Sequence, residues 1–219
     1  MSLWIKICAN TSFTDAQLAA DAGADAVGFV FAPSPRQVTP EQAATIVHQL
    51  PKSLEKIGVF VDMSFGEITA VAETCGLTGV QLHWDAPRDL PMRLRTRLGS
   101  DFRIFRVMYS DGGGAAAALA PESALSVDAI LVDSHTTYAA GGTGIPFDWA
   151  AAGKSLFQNT GNRKFIAAGG LTPLNVATAI AKLKPWGVDV VSGVELAPGR
   201  KDPAKVHAFI ATARAAAGA

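Results

Sequence analysis

Trp4-Ile5-Lys6-Ile7-Cys8-Ala9, then Thr14–Ala22, then Ala26-Val27-Gly28-Phe29-Val30-Phe31 is the stretch on which the fold turns. Two short, mostly apolar runs flank a segment of helical period that stops at Gly23, so the stretch reads as strand, helix, strand. The runs carry apolar residues on both faces, as expected of strands covered by helices on one side and by a packed interior on the other.

The same alternation continues outward to the C-terminus. Further strands are expected at Lys56–Val61, Gly79–His83, Arg103–Val107, Ala129–Asp133, Lys164–Ala168 and Gly187–Val191. Helices are expected at Pro40–Leu50, Phe65–Cys75, Pro87–Leu98, Phe147–Phe157, Pro173–Leu183 and Pro203–Ala216. Between strands five and six, Gly112–Gly114 and the alanines after it fit either a short helix or a glycine-hinged loop. Thr39-Pro40 and Thr172-Pro173 place a hydroxyl at N-cap and proline at N1, and Asp202-Pro203 does the same with a carboxylate. Eight such units without a linker or a shift in composition predict a (β/α)8 TIM barrel of parallel strands, one domain over residues 1–219. An open doubly wound sheet is the alternative, disfavoured because no GxGxxG follows the first strand.

Composition agrees. Of 219 residues, 49% are hydrophobic and 17% charged, which supplies a large core and argues against disorder. Nineteen basic residues balance nineteen acidic ones, so no electrostatic footprint for nucleic acid or an anionic membrane is expected. The two cysteines, Cys8 and Cys75, have no metal-ligand spacing, which points to a reducing cytoplasm rather than a disulfide framework. The N-terminal residues run almost directly into a strand pattern interrupted by Lys6, so no secretory leader is expected, and no apolar run is long enough to span a bilayer. His48, His135 and His207 show no metal spacing.

In such a barrel the chemistry sits at the C-terminal ends of the strands. Those ends carry Cys8, Arg36 (in Ser34-Pro35-Arg36), His83, Asp133, Gly169-Gly170 and Ser192-Gly193. Small residues after strands seven and eight let backbone N–H groups approach an anion, and a following helix N-terminus favours negative charge. Glycines also simply make tight turns, but two such turns in consecutive units favour a phosphate site. Period-two alternation puts Lys6 and Cys8 on the barrel side of strand one, with Ile5 and Ile7 on the helix side. An ammonium roughly 7 Å from the thiol would favour the thiolate. Buried Lys6 needs a partner, and Asp189, on the strand that closes the barrel against strand one, is the candidate. Each residue also has a plainer reading: Cys8 as an inert buried thiol, Asp133 as a turn carboxylate, Arg36 as a solvated surface residue rather than a carboxylate fork. His83 could donate a proton or be a hydrogen-bonded core histidine, and the plainer role is favoured. Cys75, late in a helix before Gly76, reads as packing.

Taken in order, these segments resemble the phosphoribosylanthranilate isomerase family over essentially the whole chain. The matching stretches are Lys6-Ile7-Cys8, Gly28-Phe29-Val30-Phe31 with Ser34-Pro35-Arg36, Gly58-Val59-Phe60-Val61, Gln81-Leu82-His83, Asp133 leading to Gly141-Gly142-Thr143-Gly144 and Phe147-Asp148-Trp149, Ala168-Gly169-Gly170-Leu171 with Asn175-Val176, and Asp189 leading through Ser192-Gly193-Val194-Glu195 and Pro198-Gly199 to Lys201-Asp202. The resemblance implies an Amadori rearrangement of N-(5′-phosphoribosyl)anthranilate in tryptophan biosynthesis. Asp133 would be the general acid and Cys8, as thiolate, the general base. Arg36 would hold the anthranilate carboxylate, with His83 among the substrate contacts. Gly169, Gly170, Ser192 and Gly193 would grip the phosphate, and Gly142, Thr143 and Gly144 would close over the sugar. It implies no metal or organic cofactor, because the substrate's own nitrogen serves as electron sink. It implies a monomer, with a dimer as the alternative. Two positions depart from the family pattern: Ala9 and Trp84 stand where the family usually has glycine.

Three other functions compete. A non-catalytic phosphosugar-binding paralogue would keep the glycine turns but lose the acid or the base. The related sugar isomerase of histidine biosynthesis uses aspartates in both roles, which Cys8 disfavours. A Schiff-base aldolase would need a lysine at a strand end facing the pocket, whereas Lys164 begins its strand and Lys6 lies deeper.

Overall fold

Eight parallel strands pair in sequence order and close on themselves, β1 (Trp4–Ile7), β2 (Ala26–Val30), β3 (Glu55–Phe60), β4 (Gly79–Leu82), β5 (Arg103–Tyr109), β6 (Ala129–Asp133), β7 (Phe165–Ala167) and β8 (Gly187–Val190). The last closes against the first in register, with Lys6 opposite Asp189. The computed structural model describes residues 3–83, 86–109, 126–133 and 163–218. Its helices are α1 (Phe13–Asp21), α2 (Pro40–Val47), α3 (Phe65–Cys75), α4 (Leu90–Leu98), α5 (Val176–Leu183) and α6 (Pro203–Gly218). The helix expected at Phe147–Phe157 and the glycine segment Gly112–Gly114 lie outside the described residues, as does Trp84.

Alternation along the strands separates two apolar layers. Ile5, Ile7, Val27, Phe29 and Val80 pack outward against Ala16, Ala19, Ile46, Ile68 and Phe209 of the helices. Trp4, Ile57, Phe105, Val107, Leu131 and Ile166 fill the lower barrel. There Trp4 stacks on Trp186 at 5.3 Å and tilts against Phe105 at 5.2 Å, closing the N-terminal end. Asp25 accepts from the Ile5 amide at 2.7 Å and pairs with Arg214 at 2.8 Å, pinning α6 beneath β1.

Most expected helix starts are observed. Thr39 and Gln42 form a capping box at α2, and Asp202 accepts from the amides of Ala204 and Lys205 at 2.9 and 3.2 Å. Gly23 and Gly76 adopt φ of 93° and 66° where α1 and α3 stop. Two starts are corrected: α4 begins at Leu90 rather than Pro87, after a turn in which the Leu90 amide donates to the Pro87 carbonyl at 3.1 Å. Thr172-Pro173 does not open a helix; α5 begins at Val176, because Asn175 folds back to accept from the Thr172 amide and donate to the Gly170 carbonyl, spending those residues on a turn. β1 also ends at Ile7 rather than Ala9, for a reason that lies in the site.

Candidate active site

Lys6, Gln81 and Asp189 form a polar layer above the apolar floor of the barrel. The Lys6 ammonium is fully buried and donates to Asp189 Oδ1 and Gln81 Oε1, both at 2.9 Å. Burial, the largest single influence, would lower the Lys6 pKa, but Asp189 and Cys8 together outweigh it and the pKa is raised, so Lys6 keeps its charge. The expected partner is therefore present. Gln81, the second acceptor, escaped the sequence reading, although its place two residues before His83 on an inward-facing register could have suggested it.

Cys8 sits one residue beyond β1, itself buried at 3% exposure. Here the expectation is corrected in sign. Removal from water pushes the thiol above its ordinary 9.0; Lys6 and Lys201 oppose this, Asp189 adds to it, and burial prevails. The resting group is a thiol. Space for its sulfur comes from β2: a Cβ at Gly28 would collide with Cys8 Sγ and come within 3.0 Å of Lys6 Cε and 3.2 Å of Cys8 Cα.

Ala9 explains the early end of β1 and the family's preference for glycine there. Its φ is 60°, in the left-handed region that an L-residue enters at a cost of roughly 1–2 kcal/mol. Asn10 braces the turn. Its backbone amide donates to Gly28 O at 2.9 Å, and its side-chain amide donates to Ile7 O at 2.8 Å and Gly28 O at 3.2 Å. Its Oδ1 is buried with no hydrogen-bond partner among the described residues.

Arg36, in the loop after β2, is neither free nor solvated. Its Nε and Nη2 grasp Glu195 bidentately at 2.8–3.1 Å, and its side chain is 12% exposed. Glu195 begins β9 (Glu195–Ala197), which pairs with β10 (Arg200–Lys201) as a short antiparallel hairpin after β8. Burial acts to raise the Glu195 pKa, but Arg36 and Lys201 hold it below the ordinary 4.5. Lys201 is buried too. Its ammonium donates to the Cys8 carbonyl at 2.5 Å and to Glu195 Oε1 at 3.3 Å. Burial brings its pKa below 10.5 despite Glu195. Sequence reasoning missed this hairpin, yet Pro198-Gly199 between two short runs is an ordinary turn signal.

The remaining candidates lie on the same rim. Asp133 is the last residue of β6 and is half-buried. His83 follows β4 and borders a cleft lined by Phe60, Asp62, Ile68, Leu82 and Leu90 between the loops after β3 and β4. Gly169 and Gly170 take φ of 77° and 63° directly after β7. Ser192 and Gly193 form a 3-10 turn after β8, and a Cβ at Gly193 would strike the Leu171 carbonyl, so the two turns pack backbone on backbone. Gly142, Thr143 and Gly144 lie outside the described residues. Among the described residues no cluster of His, Cys, Asp or Glu could hold a metal ion.

A closed parallel barrel with its polar side chains and glycine turns gathered at the C-terminal rim defines the class of (β/α)8 barrel enzymes. Residues 5–212 match the family of N-(5′-phosphoribosyl)anthranilate (PRA) isomerases. The chain is 43% identical to the N-(5′-phosphoribosyl)anthranilate isomerase of Pelobacter propionicus, covering 96% of this chain and 95% of that one. It is 44% identical to the protein of the same name from Citrifermentans bemidjiense, covering 96% of each. Its backbone superposes on the phosphoribosyl anthranilate isomerase of Thermotoga maritima with a TM-score of 0.83 at 34% identity, over 97% and 99% of the two chains. A crystal structure of phosphoribosyl anthranilate isomerase in complex with reduced 1-(o-carboxyphenylamino)-1-deoxyribulose 5-phosphate gives 0.80 at 33% identity, with the same coverage. The chain belongs to the N-(5′-phosphoribosyl)anthranilate isomerase family.

Proposed function

We infer that this chain isomerises N-(5′-phosphoribosyl)anthranilate to 1-(2-carboxyphenylamino)-1-deoxyribulose 5-phosphate in tryptophan biosynthesis. The observation that carries this reading is the placing of one thiol and one carboxyl group, Cys8 and Asp133, at the same rim of a barrel of this family. The rearrangement needs one acid and one base on either side of the sugar carbons, and strand ends across a barrel mouth supply both.

Asp133 protonates the furanose ring oxygen, and the C1′–O bond breaks to leave a Schiff base on the anthranilate nitrogen. Cys8 then takes the C2′ proton, and the C–H electron pair moves toward the nitrogen to give an enolamine. Tautomerisation to the C2′ ketone moves the enol proton to C1′, and Asp133 regains its proton from solvent. Because burial keeps the resting sulfur protonated, the thiolate has to form in the substrate complex, its proton passing to solvent. The cationic Schiff base supplies a charge beside the sulfur that favours it, adding to those of Lys6 and Lys201. Arg36 meets the anthranilate carboxylate: Glu195 occupies its Nε side, leaving the Nη1 end of the fork. The turns at Gly169-Gly170 and Ser192-Gly193 take the phosphate, and His83 lines the aromatic end. We take the working enzyme to be a cytoplasmic monomer; no helix among the described residues is long and apolar enough to cross a membrane.

The test is the loss of anthranilate-ribosyl fluorescence when freshly made phosphoribosylanthranilate is mixed with the wild-type chain. Turnover is the expected result. Binding of the phosphosugar without turnover would instead identify a non-catalytic paralogue.

A further inference from the structure

Lys201 is buried at the site, yet the rearrangement gives it no step beyond its charge. Its ammonium contacts the carbonyl of the base at 2.5 Å and the Glu195 oxygen that also receives Arg36 Nε, at 3.3 Å. Docking of the hairpin does not need that ammonium. Thr11 Oγ1 donates to the Gly199 carbonyl at 2.6 Å and the Lys201 amide donates to Asp15 at 3.3 Å. We propose that Lys201 is a positioning residue for the isomerisation: its ammonium ties the Cys8 carbonyl to Glu195 and so to Arg36, and one short hairpin sets the base and the carboxylate grip against each other. The proposal rests on the roles given above to Cys8 and Arg36.

The physical case is one of rigidity. Cys8 lies beside a residue in the left-handed region; its amide still donates to Val190 O at 2.9 Å, and its carbonyl is held from the hairpin. Arg36 likewise sits in a loop, and its guanidinium is fixed by Glu195. Without a common anchor, base and carboxylate grip would move independently, and a displacement near 1 Å can cost about a hundredfold in rate. The charged groups facing Cys8 are Lys6 on β1, Asp189 on β8 and Lys201 on the hairpin, while β2 presents uncharged Gly28.

The experiment measures kcat, KM and the pH dependence of Cys8 alkylation by iodoacetamide, all in a Cys75→Ala background so that one thiol reports. Lys201→Met is expected to lower kcat about a hundredfold and to move the alkylation midpoint up, since it removes a cation near the sulfur. Lys201→Arg, which keeps the charge and a donor, is expected to restore most of both. Glu195→Gln is expected to lower kcat and raise KM together. A folded Lys201→Met that keeps wild-type kcat and alkylation midpoint overturns the proposal. If that variant does not fold, Glu195→Gln decides: a rise in KM with kcat intact overturns it. An inactive wild type would sink the isomerase reading alone, because alkylation still reports on the tie between Lys201 and Cys8.

Discussion

Replacing Gly28 with alanine probes the seat of the sulfur directly. The added methyl has nowhere to go: Cys8 Sγ occupies its position, Lys6 Cε stands at 3.0 Å and Cys8 Cα at 3.2 Å. None of these neighbours yields cheaply. Lys6 is held at its far end by two acceptors, and the β1 backbone is held on both sides, by the Cys8 amide on Val190 O at 2.9 Å and the Asn10 amide on Gly28 O at 2.9 Å. Overpacking of a core costs about 1–3 kcal/mol, and this clamped geometry belongs in the upper half of that range. For a chain of this size, about 2–3 kcal/mol lowers Tm by roughly 4–12 °C. The sulfur rotates or β1 shifts, and either moves it from the reacting carbon, for about a hundredfold loss in kcat. Thermal unfolding by circular dichroism and the fluorescence assay read the two effects. An alanine variant with wild-type Tm and kcat would refute the packing argument. A lowered Tm with intact kcat would keep the packing and remove Cys8 from the chemistry.

Lys6→Met is expected to cost about 3–5 kcal/mol in urea unfolding, because it leaves Asp189 buried and unpaired, and Lys6→Met/Asp189→Asn is expected to recover part of that loss. Additive losses in the double variant would count against a coupled buried pair. Cys75 should make the wild type lose stability at high pH. Burial raises its thiol to about 11 from 9.0, so below pH 9 it is neutral in both states, whereas between 9 and 11 only the unfolded chain ionises. That difference is worth on the order of 2–3 kcal/mol. Urea unfolding at pH 8 and pH 10.5 should show the wild type losing more than Cys75→Ala, and equal losses would contradict the burial argument.

Much of this site could be read from residue order because it depends on strand period and barrel closure. Lys6 and Cys8 share a face by alternation, and Asp189 meets Lys6 because the last strand of a closed barrel pairs with the first. What escaped depends on contacts that spacing does not encode. Arg36 reads as an anion fork, but its partner Glu195 lies 159 residues away, on a hairpin that the helix–strand alternation hides. The sign of the Cys8 shift is set by a contest between burial and nearby cations, and no sequence pattern shows how complete the burial is. Thr172-Pro173 carries an honest helix-start signal that lost to a stronger local interaction, the Asn175 amide closing the turn after β7. The departure at Ala9 reads as a change in the active site, and the backbone there shows a left-handed residue braced by Asn10.

The measurement that bears most directly on the chemistry compares steady-state isomerisation by the wild type, Cys8→Ser and Asp133→Asn, with binding of the reduced product analogue followed in parallel. Each variant is expected to lose about 10²–10⁴-fold in kcat while still binding the analogue. A variant that folds, binds and turns over like the wild type would contradict the role assigned to that residue.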